Sequence, residues 1–337
     1  MFLLWLKFIV CAAVVVFSGY RICIYGEKIG QLIKLSRTFV GLMLLAVVTS
    51  LPELAVAVSA VKIGALDLAL GDLFGSNLFN LTIVGIIFLW FVKEPKLLSF
   101  DSVHFISSGF SVLMIALAAM GIVFYKLVKP VVGYSRILLD VETVLILAAY
   151  IFGAYLIFRS EKARAAEFPK LEPGERKHAL GIWLKFLVYS AILVGAAIYL
   201  SRLGDEIARI QVGGVALGGS FVGSLFIAVT TSLPEMTVAI SAVKLGFLDM
   251  ALGNIFGSNM FNMAIVAVAD LSLGRKLILS CASSLHLFTV LFVVILTTLV
   301  LAGLVYRSKI KTPALAWDSV SILFVYFAAN LVNFYLR

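Results

Sequence analysis

The sequence predicts an all-α integral membrane protein, in which about ten transmembrane helices form two inverted-topology repeats of five helices each. Three observations support this fold class. The 337 residues are 62% apolar and only 13% charged, whereas soluble domains are typically about 45–50% apolar and about 25% charged. Ten apolar stretches each supply the roughly 20 residues that a membrane-spanning helix needs. Within them, one stretch that contains several polar residues occurs twice in nearly the same sequence.

The apolar stretches define two halves and a linker. They cover approximately residues 2–20, 38–61, 66–91, 104–125, 138–158, 181–200, 213–242, 247–269, 279–305 and 315–336. The longest polar stretch carries charges of both signs with Pro and Gly, which is typical of a linker. We therefore predict one membrane domain made of a first repeat at residues 1–158, a linker at 159–180 and a second repeat at 181–337. The first stretch lacks a charged start and a clear cleavage site, so it is interpreted as a span rather than a signal peptide.

The duplicated stretch indicates an inverted repeat. Residues 49–84 align without a gap to residues 231–266 at a constant offset of 182, and 25 of the 36 positions are identical. Because five spans per half is an odd number, the second half enters the membrane from the opposite side. Secondary transporters often follow this plan, with the ion site near the midplane where the repeats meet. Duplication for architecture alone would not explain why the most similar stretch is also the most polar.

Basic residues predict the orientation in the lipid bilayer. If the N-terminus is outside, the inner loops and span ends hold seventeen Lys and Arg side chains and the outer ones hold ten. Because basic residues concentrate on the cytoplasmic side, both termini are expected outside and the 159–180 linker inside. The net charge of +9 then reflects loop placement rather than nucleic-acid binding. The expected location is a prokaryotic plasma membrane.

Each copy of the duplicated stretch contains a proline followed by a glutamate, Pro52–Glu53 and Pro234–Glu235. A proline inside a helix removes a backbone hydrogen bond, and non-helical backbone at membrane depth persists only where it is buried in protein or lines a cavity. A carboxylate near the bilayer centre costs at least about 2.5–3.5 kcal/mol. Neither glutamate has a Lys or Arg within the next eight residues, so a cation or a proton is the expected partner. Two carboxylates match the charge of one divalent ion.

Neutral oxygen ligands surround both glutamates in the sequence. They are the hydroxyls of Thr49, Ser50, Thr231 and Ser232 and the one-face pairs Ser76 with Asn80 and Ser258 with Asn262. Calcium takes about 6–8 oxygens in a flexible cage, and a set without thiolate or imidazole favours Na⁺, Ca²⁺ or Mg²⁺. Rigid Mg²⁺ is the least suitable of these. No cofactor is expected besides bound, transported ions. Asn77 and Asn259 point away from the paired face and are interpreted as interhelical hydrogen bonders.

The linked motifs resemble the cation/calcium antiporter superfamily, and within it the sodium/calcium exchanger branch of prokaryotic type. The resemblance rests on "TSLPE" with "GDLFGSNLFN" at residues 71–80, and on "TSLPE" with "GNIFGSNMFN" at residues 253–262. It implies a secondary antiporter, not an enzyme, that exchanges Na⁺ for Ca²⁺ by alternating access. It also implies that the glutamates and hydroxyls are ligands, joined in the sodium sites by the backbone carbonyls of Ala46 and Ala228. No obligate protein partner is evident.

The resemblance also bears on the coupling ion. Proton-coupled relatives carry a glutamate where this chain has Ser76 and Ser258, and potassium-dependent ones carry an aspartate where it has Asn262. Sodium coupling is therefore favoured, and an H⁺- or K⁺-coupled divalent-cation antiporter remains the alternative. A cation channel is less favoured, because inverted repeats supply two alternating faces within one chain.

A hydrolase is disfavoured, because a serine nucleophile needs a nearby base and the three histidines, His104, His178 and His286, lie outside the motifs.

One charged position distinguishes the two motifs. Asp72 in the first motif corresponds to Asn254 in the second. Asp72 lies four residues before Ser76 and eight before Asn80, so it shares their helix face. Two interpretations stay open: a third carboxylate near the ion path, or a polar group at a water-filled mouth.

Overall fold

The computed structural model describes residues 1–90, 100–128, 141–163, 179–212, 215–216, 221–273, 277–309 and 317–336. In the first half the helices are α1 (Phe2–Ile33), α2 (Arg37–Phe39), a π-helical segment (Val40–Leu45), α3 (Ala46–Thr49), α4 (Leu51–Lys62), α5 (Leu66–Trp90), α6 (Val103–Val123) with a π-helical end (Phe124–Val128), and α7 (Val141–Ala163). In the second half the elements are α8 (Ala179–Ala208), β1 (Gln211–Val212), β2 (Val215–Ala216), α9 (Phe221–Thr231), α10 (Leu233–Lys244), α11 (Leu248–Leu273), a 3₁₀ turn (Ile278–Cys281), α12 (His286–Lys309) and α13 (Trp317–Tyr335).

The predicted all-α membrane fold is confirmed. Among the described segments, nine helical stretches are long and apolar enough to cross a membrane, and a bent pair within α9 and α10 makes ten. That pair bends by 63° at residue 232. The sole strands in the described part are β1 and β2, a short antiparallel pair in the connection before α9.

Several predicted span ends were wrong. Helix α1 does not stop near residue 20 but continues to Ile33, because Gly26 lets its second half pack closely on Val40 and Leu45. The ninth span begins at His286 rather than 279, because residues 278–281 form a separate 3₁₀ turn. The 159–180 linker is shorter than predicted at both ends, since α7 runs to Ala163 and α8 begins at Ala179. Its remaining residues, 164–178, lie outside the described part.

Helices α5 and α11 form the centre of the molecule. Most of each apolar span is buried inside the protein, 78% for α5 and 89% for α11, although membrane helices at a protein's edge face lipid. Asn80 Nδ2 donates to Asn259 Oδ1 at 3.0 Å, and Asn262 Nδ2 donates to Asn77 Oδ1 at 3.1 Å. Asn259 Nδ2 also donates to the Asn77 carbonyl at 3.2 Å. Since 77 pairs with 262 and 80 with 259, the two helices cross in antiparallel directions.

Helices α1 and α8 lie at the periphery and pack on each other. Only 22% of the α1 span and 28% of the α8 span are buried. A small apolar cluster joins them, with members Cys11, Val15, Ala197, Leu200 and Leu203. Helix α1 also lies against α10, where Cys23 Sγ donates to the carbonyl of Val238 at 3.4 Å. The two long helices therefore pack on each other at the outside of the described bundle, where α7 and α13 are also only 28% buried.

The two halves pack differently around the central helices. A Cβ added at Gly253 would lie 2.6 Å from the carbonyl oxygen of Thr38, and one at Gly257 would lie 2.5 Å from that of Leu42. The first broken span, Arg37–Lys62, thus contacts α11 backbone to backbone. Among the residues that the structure describes, no atom lies within 4 Å of such a Cβ at the matching position on α5, Gly75. Within the described residues, the second broken span, Leu225–Lys244, therefore makes no matching backbone contact at Gly75.

This difference predicts unequal effects of one substitution at matched positions. Gly257→Ala should lower the melting temperature of the purified protein, because the added methyl group must push α11 off the first broken span. Gly75→Ala should leave the melting temperature unchanged or raise it slightly, since alanine is favoured over glycine in a helix by about 1 kcal/mol. Thermal unfolding in detergent measures both, and equal losses would contradict the packing difference.

Candidate cation site

Both breaks occur at a serine, one residue before the Leu–Pro–Glu sequence. Ser50 has φ −93° and ψ 5°, and Ser232 has φ −92° and ψ 15°. The Ser50 amide donates to the Ala46 carbonyl at 3.0 Å and so closes α3. Pro52 then falls in the first turn of α4, where an amide hydrogen would have no partner in the helix. The prolines therefore mark new helix starts rather than kinks in continuous helices.

Glu53 and Glu235 lie in the first turns of α4 and α10 and are buried, with 2% and 0% of their surface exposed. The partial positive charge of a helix N-terminus offsets part of the cost of burying a carboxylate. Ser50 Oγ donates to Glu235 Oε1 at 3.3 Å. Within the described segments, both oxygens of Glu53 and Oε2 of Glu235 have no hydrogen-bond partner. Buried carboxylate oxygens in this condition fit a bound cation or a proton.

Thr49 connects the first break to the opposite repeat. Its hydroxyl is 3.2 Å from Ser258 Oγ, 3.3 Å from Asn254 Oδ1 and 3.3 Å from the carbonyl oxygen of Ala46. With the Ser50–Glu235 bond, these contacts bring predicted ligands from both repeats into one buried cluster.

The matching groups of the second half are arranged differently. Thr231 Oγ1 donates within its own helix, to the carbonyls of Ile227 and Ala228, both at 3.2 Å. The Ala228 carbonyl also accepts the Ser232 amide at 3.3 Å. The hydroxyls of Ser76 and Ser232 are buried and have no partner among the described residues. In each matched pair of serines, therefore, one hydroxyl is hydrogen-bonded, that of Ser50 or Ser258, and the other, that of Ser232 or Ser76, has no partner in the described part.

Asn80 and Asn262 take part in the α5–α11 crossing, although they were predicted as ligands. Each uses its Nδ2 for the crossing, and each keeps a buried Oδ1 without a partner in the described part of the chain. The bonds orient these oxygens. Asn77 and Asn259 form the interhelical bonds that the sequence predicts for them.

A cavity of about 580 Å³ reaches the cluster from one side. It lies between α5 and the second half, and its lining includes Asp67, Asp72, Ser76, Ala228, Thr231, His286, Thr289, Tyr326, Asn330 and Asn333. Asp72 is in its wall, with Oδ2 buried and unpartnered within the described segments, whereas Asn254 is fully buried against Thr49. The position at which the two motifs differ in charge therefore faces the cavity in the first motif, as Asp72, and is buried in the second, as Asn254.

Sequence reasoning missed two His–Asp pairs outside the motifs' polar centres. His286 Nε2 is 2.8 Å from Asp67 Oδ1, and His104 Nε2 is 2.9 Å from Asp249 Oδ1. The offset of 182 relates the two aspartates and also the two histidines. Extending the repeat alignment past residue 84 would have aligned "DSVHF" at 101–105 with "SSLHL" at 283–287 and revealed the signal.

Comparisons with known proteins agree with this architecture. The inner membrane protein YrbG of Escherichia coli is 28% identical over 264 residues, which cover 77% of this chain and 76% of YrbG. The sodium/calcium exchanger MaX1 of Methanosarcina acetivorans is 30% identical over 167 residues, covering 50% of this chain and 43% of MaX1. A structure of the sodium–calcium exchanger NCX_Mj, soaked with 10 mM Na⁺ and zero Ca²⁺, has the same fold, with a TM-score of 0.70, 19% identity and 98% coverage of each chain.

The family comparison covers nearly the whole sequence. The model of the family described as sodium/calcium exchanger protein matches residues 3–159 and 181–335. It therefore spans both groups of five membrane helices and both cation-site motifs. This multi-pass membrane protein belongs to the sodium/calcium exchanger family, whose members are transporters.

Proposed function

We propose that the protein exchanges Na⁺ for Ca²⁺ across the membrane by alternating access at the site between the two broken spans. One observation carries the proposal. Each repeat places a buried glutamate at the start of a half-helix, and three of the four carboxylate oxygens have no hydrogen-bond partner among the described residues. The Ser50–Glu235 bond holds the Glu235 carboxylate against the start of α4, the half-helix that carries Glu53. Two such carboxylates balance the charge of one Ca²⁺.

The proposed ligands are hard oxygens from both repeats. The carboxylates of Glu53 and Glu235 bind Ca²⁺, and its other oxygens, as well as those of the Na⁺ sites, come from the side chains of Thr49, Ser50, Ser76, Asn80, Thr231, Ser232, Ser258 and Asn262. Such a set suits calcium, which accepts six to eight oxygens without strict geometry. The carbonyls of Ala46 and Ala228 contribute to Na⁺ sites. The hydroxyls of Ser76 and Ser258 can bind Na⁺ but cannot bind and release a proton as a carboxylate would. Sodium is therefore the preferred coupling ion. The name of the relative MaX1 supports the same coupling.

The unequal packing of matched glycines supports the proposal of alternating access. Gly253 and Gly257 contact the first broken span, whereas Gly75 lines the cavity and has no described residue packed against its Cα. In an inverted repeat, the opposite state has these roles exchanged. Helix α9 then closes on Gly71 and Gly75, and the first broken span leaves α11. In that state the face of α5 that carries Gly71 and Gly75 packs against α9, as small residues do at contacts between membrane helices.

The two glutamates provide the decisive test. Glu53→Gln and Glu235→Gln should each abolish uptake of radiolabelled calcium into proteoliposomes driven by an outward Na⁺ gradient, because a neutral amide cannot balance the ion's charge. Glu206→Gln removes an exposed carboxylate on α8 and should transport normally, which makes it the matched control.

The same vesicles distinguish the coupling ions. Outward Na⁺, K⁺ and H⁺ gradients are applied in turn to the unmodified protein, and only Na⁺ should drive uptake. Uptake driven by H⁺ alone would replace sodium with proton coupling. Near-normal transport by either glutamine variant would contradict the two-glutamate site.

Asp72 is proposed as a charged group of the ion path rather than an essential ligand. Asp72→Asn makes the first motif match the second, and we expect a working exchanger with a several-fold weaker apparent calcium affinity, because a negative charge in the cavity wall concentrates cations. Uptake measured against calcium concentration checks this. A variant as inactive as Glu53→Gln would make Asp72 a third ligand, and an unchanged affinity would make it a solvated bystander.

The orientation is also proposed: both termini outside and residues 159–180 cytoplasmic. The connection that holds Cys281 then lies outside, and Cys281 is exposed whereas Cys11 and Cys23 are buried. A membrane-impermeant maleimide should therefore label the unmodified protein in intact cells, and Cys281→Ser should remove the label. Labelling only after permeabilisation would reverse the orientation.

A further inference from the structure

The two His–Asp pairs each join one repeat to the other. Asp67 is in the first turn of α5, and His286 begins α12. Asp249 is in the first turn of α11, and His104 is in the first turn of α6. Each pair therefore connects the start of a motif helix to the start of a helix in the opposite repeat. Neither pair takes part in the cluster around the glutamates.

The pairs lie at opposite ends of the central helices. Asp67 precedes the crossing residue Asn77 by ten positions, and Asp249 precedes Asn259 by ten. At 1.5 Å per residue, each aspartate is roughly 15 Å from the crossing along its own helix. Because α5 and α11 cross in antiparallel directions, one pair lies towards each membrane face.

Each pair is embedded in the same set of contacts. The Ser283 amide donates to Asp67 Oδ1 at 2.7 Å, and the Asp101 amide donates to Asp249 Oδ1 at 3.4 Å. Thus each aspartate holds both the histidine and the backbone just before it. Since 101 and 283 also differ by 182, the arrangement repeats atom for atom across the halves.

An aromatic ring of the motif helix supports each histidine. The ring centroids of His286 and Phe74 are 5.6 Å apart, and those of His104 and Phe256 are 5.9 Å apart. These phenylalanines are two residues before Ser76 and Ser258. The histidines thus contact the same helix segments that carry predicted ligands.

The surroundings of the two pairs differ in this conformation. The side chains of Asp67 and His286 are 57% and 12% exposed, and both line the cavity together with Asp72. On the closed side the side chains of Asp249 and His104 are 36% and 0% exposed, and Thr38 of the first broken span donates to Asp101 Oδ2 at 3.2 Å. One pair is thus at the open mouth and the other lies beside the closed broken span.

We infer that the two pairs are matched positioning contacts, each of which fixes the start of its motif helix against the opposite repeat and so sets cation affinity at its own membrane face. Asp67 is one turn before Gly71 and Asp72, so movement of this turn reshapes the cavity wall. Asp249 has the same relation to Gly253 and Asn254. The inference rests on the proposed exchange function for its transport consequence but not for the contact itself.

Face-resolved transport tests the consequence. In vesicles of known orientation, Asp67→Ala should raise the calcium concentration for half-maximal transport roughly fivefold at the cavity face and leave the other face unchanged. Asp249→Ala, the matched variant, should do the reverse. Asp67→Asn keeps an acceptor for His286 and Ser283 and should recover most of the affinity lost in Asp67→Ala. Equal effects at both faces would overturn the positioning role. An Asp67→Asn variant with an apparent calcium affinity as low as that of Asp67→Ala would also overturn it, and would indicate that Asp67 acts only as a surface charge.

Thermal unfolding tests the contact without any transport. Asp67→Ala should lower the melting temperature clearly in the unmodified protein but little in a His286→Ala background, because the partner is already gone. Additive losses would overturn the pairing. If the unmodified protein moved no calcium, the proposed function would fail, while the melting cycle would still decide whether the pair braces the repeats.

Discussion

The structure depends on the burial of two carboxylates that have no basic partner among the described residues. Glu53 and Glu235 are both nearly inaccessible, and the described polar atoms near them are hydroxyls and amides rather than ammonium or guanidinium groups. An isolated buried charge is so unfavourable that it must be paired or neutralised. Breaking the helices at Ser50 and Ser232 helps, because it places both glutamates in first turns where the helix dipole is favourable. The rest of the core can then be understood as support for two broken helices that would otherwise expose backbone to lipid.

That support is nearly symmetric in sequence and asymmetric in contacts. The asparagine bonds between α5 and α11 obey the repeat, since Asn80–Asn259 and Asn262–Asn77 exchange under the offset of 182. The serine and glycine contacts do not follow the repeat, because the Ser50 hydroxyl is bonded to Glu235 while the Ser232 hydroxyl has no partner in the described part. The crossing is therefore a fixed centre, and the broken spans are the parts that differ between the halves.

Much of this could be predicted from the sequence because it follows from local chemistry. Apolar length gives the spans, and the Pro–Glu pairs give the breaks. The limits of the prediction are equally physical. The extension of α1 to Ile33 depends on Gly26 packing against Val40 and Leu45, which hydropathy does not encode. The choice of which matched serine is bonded depends on conformation, since the two serines have the same neighbours in sequence. The His–Asp pairs join residues 145 and 219 positions apart, so only the repeat offset connects them.

The inverted repeat also explains why small sequence differences between the halves matter. If both halves were identical, the two conformations related by exchange of the halves would have equal free energy, apart from the membrane environment. Each difference then shifts the balance by its own differential contact energy, because only interactions that differ between two states move an equilibrium between them. Asp72 against Asn254 is such a difference: in this conformation the carboxylate faces the cavity and the amide is buried against Thr49. If the halves exchange roles as proposed, the Asp72 carboxylate would lose its contact with the cavity in the exchanged conformation, which is costly without a cation. The charge would then favour the present conformation in the absence of a cation, and a bound cation would reduce that bias.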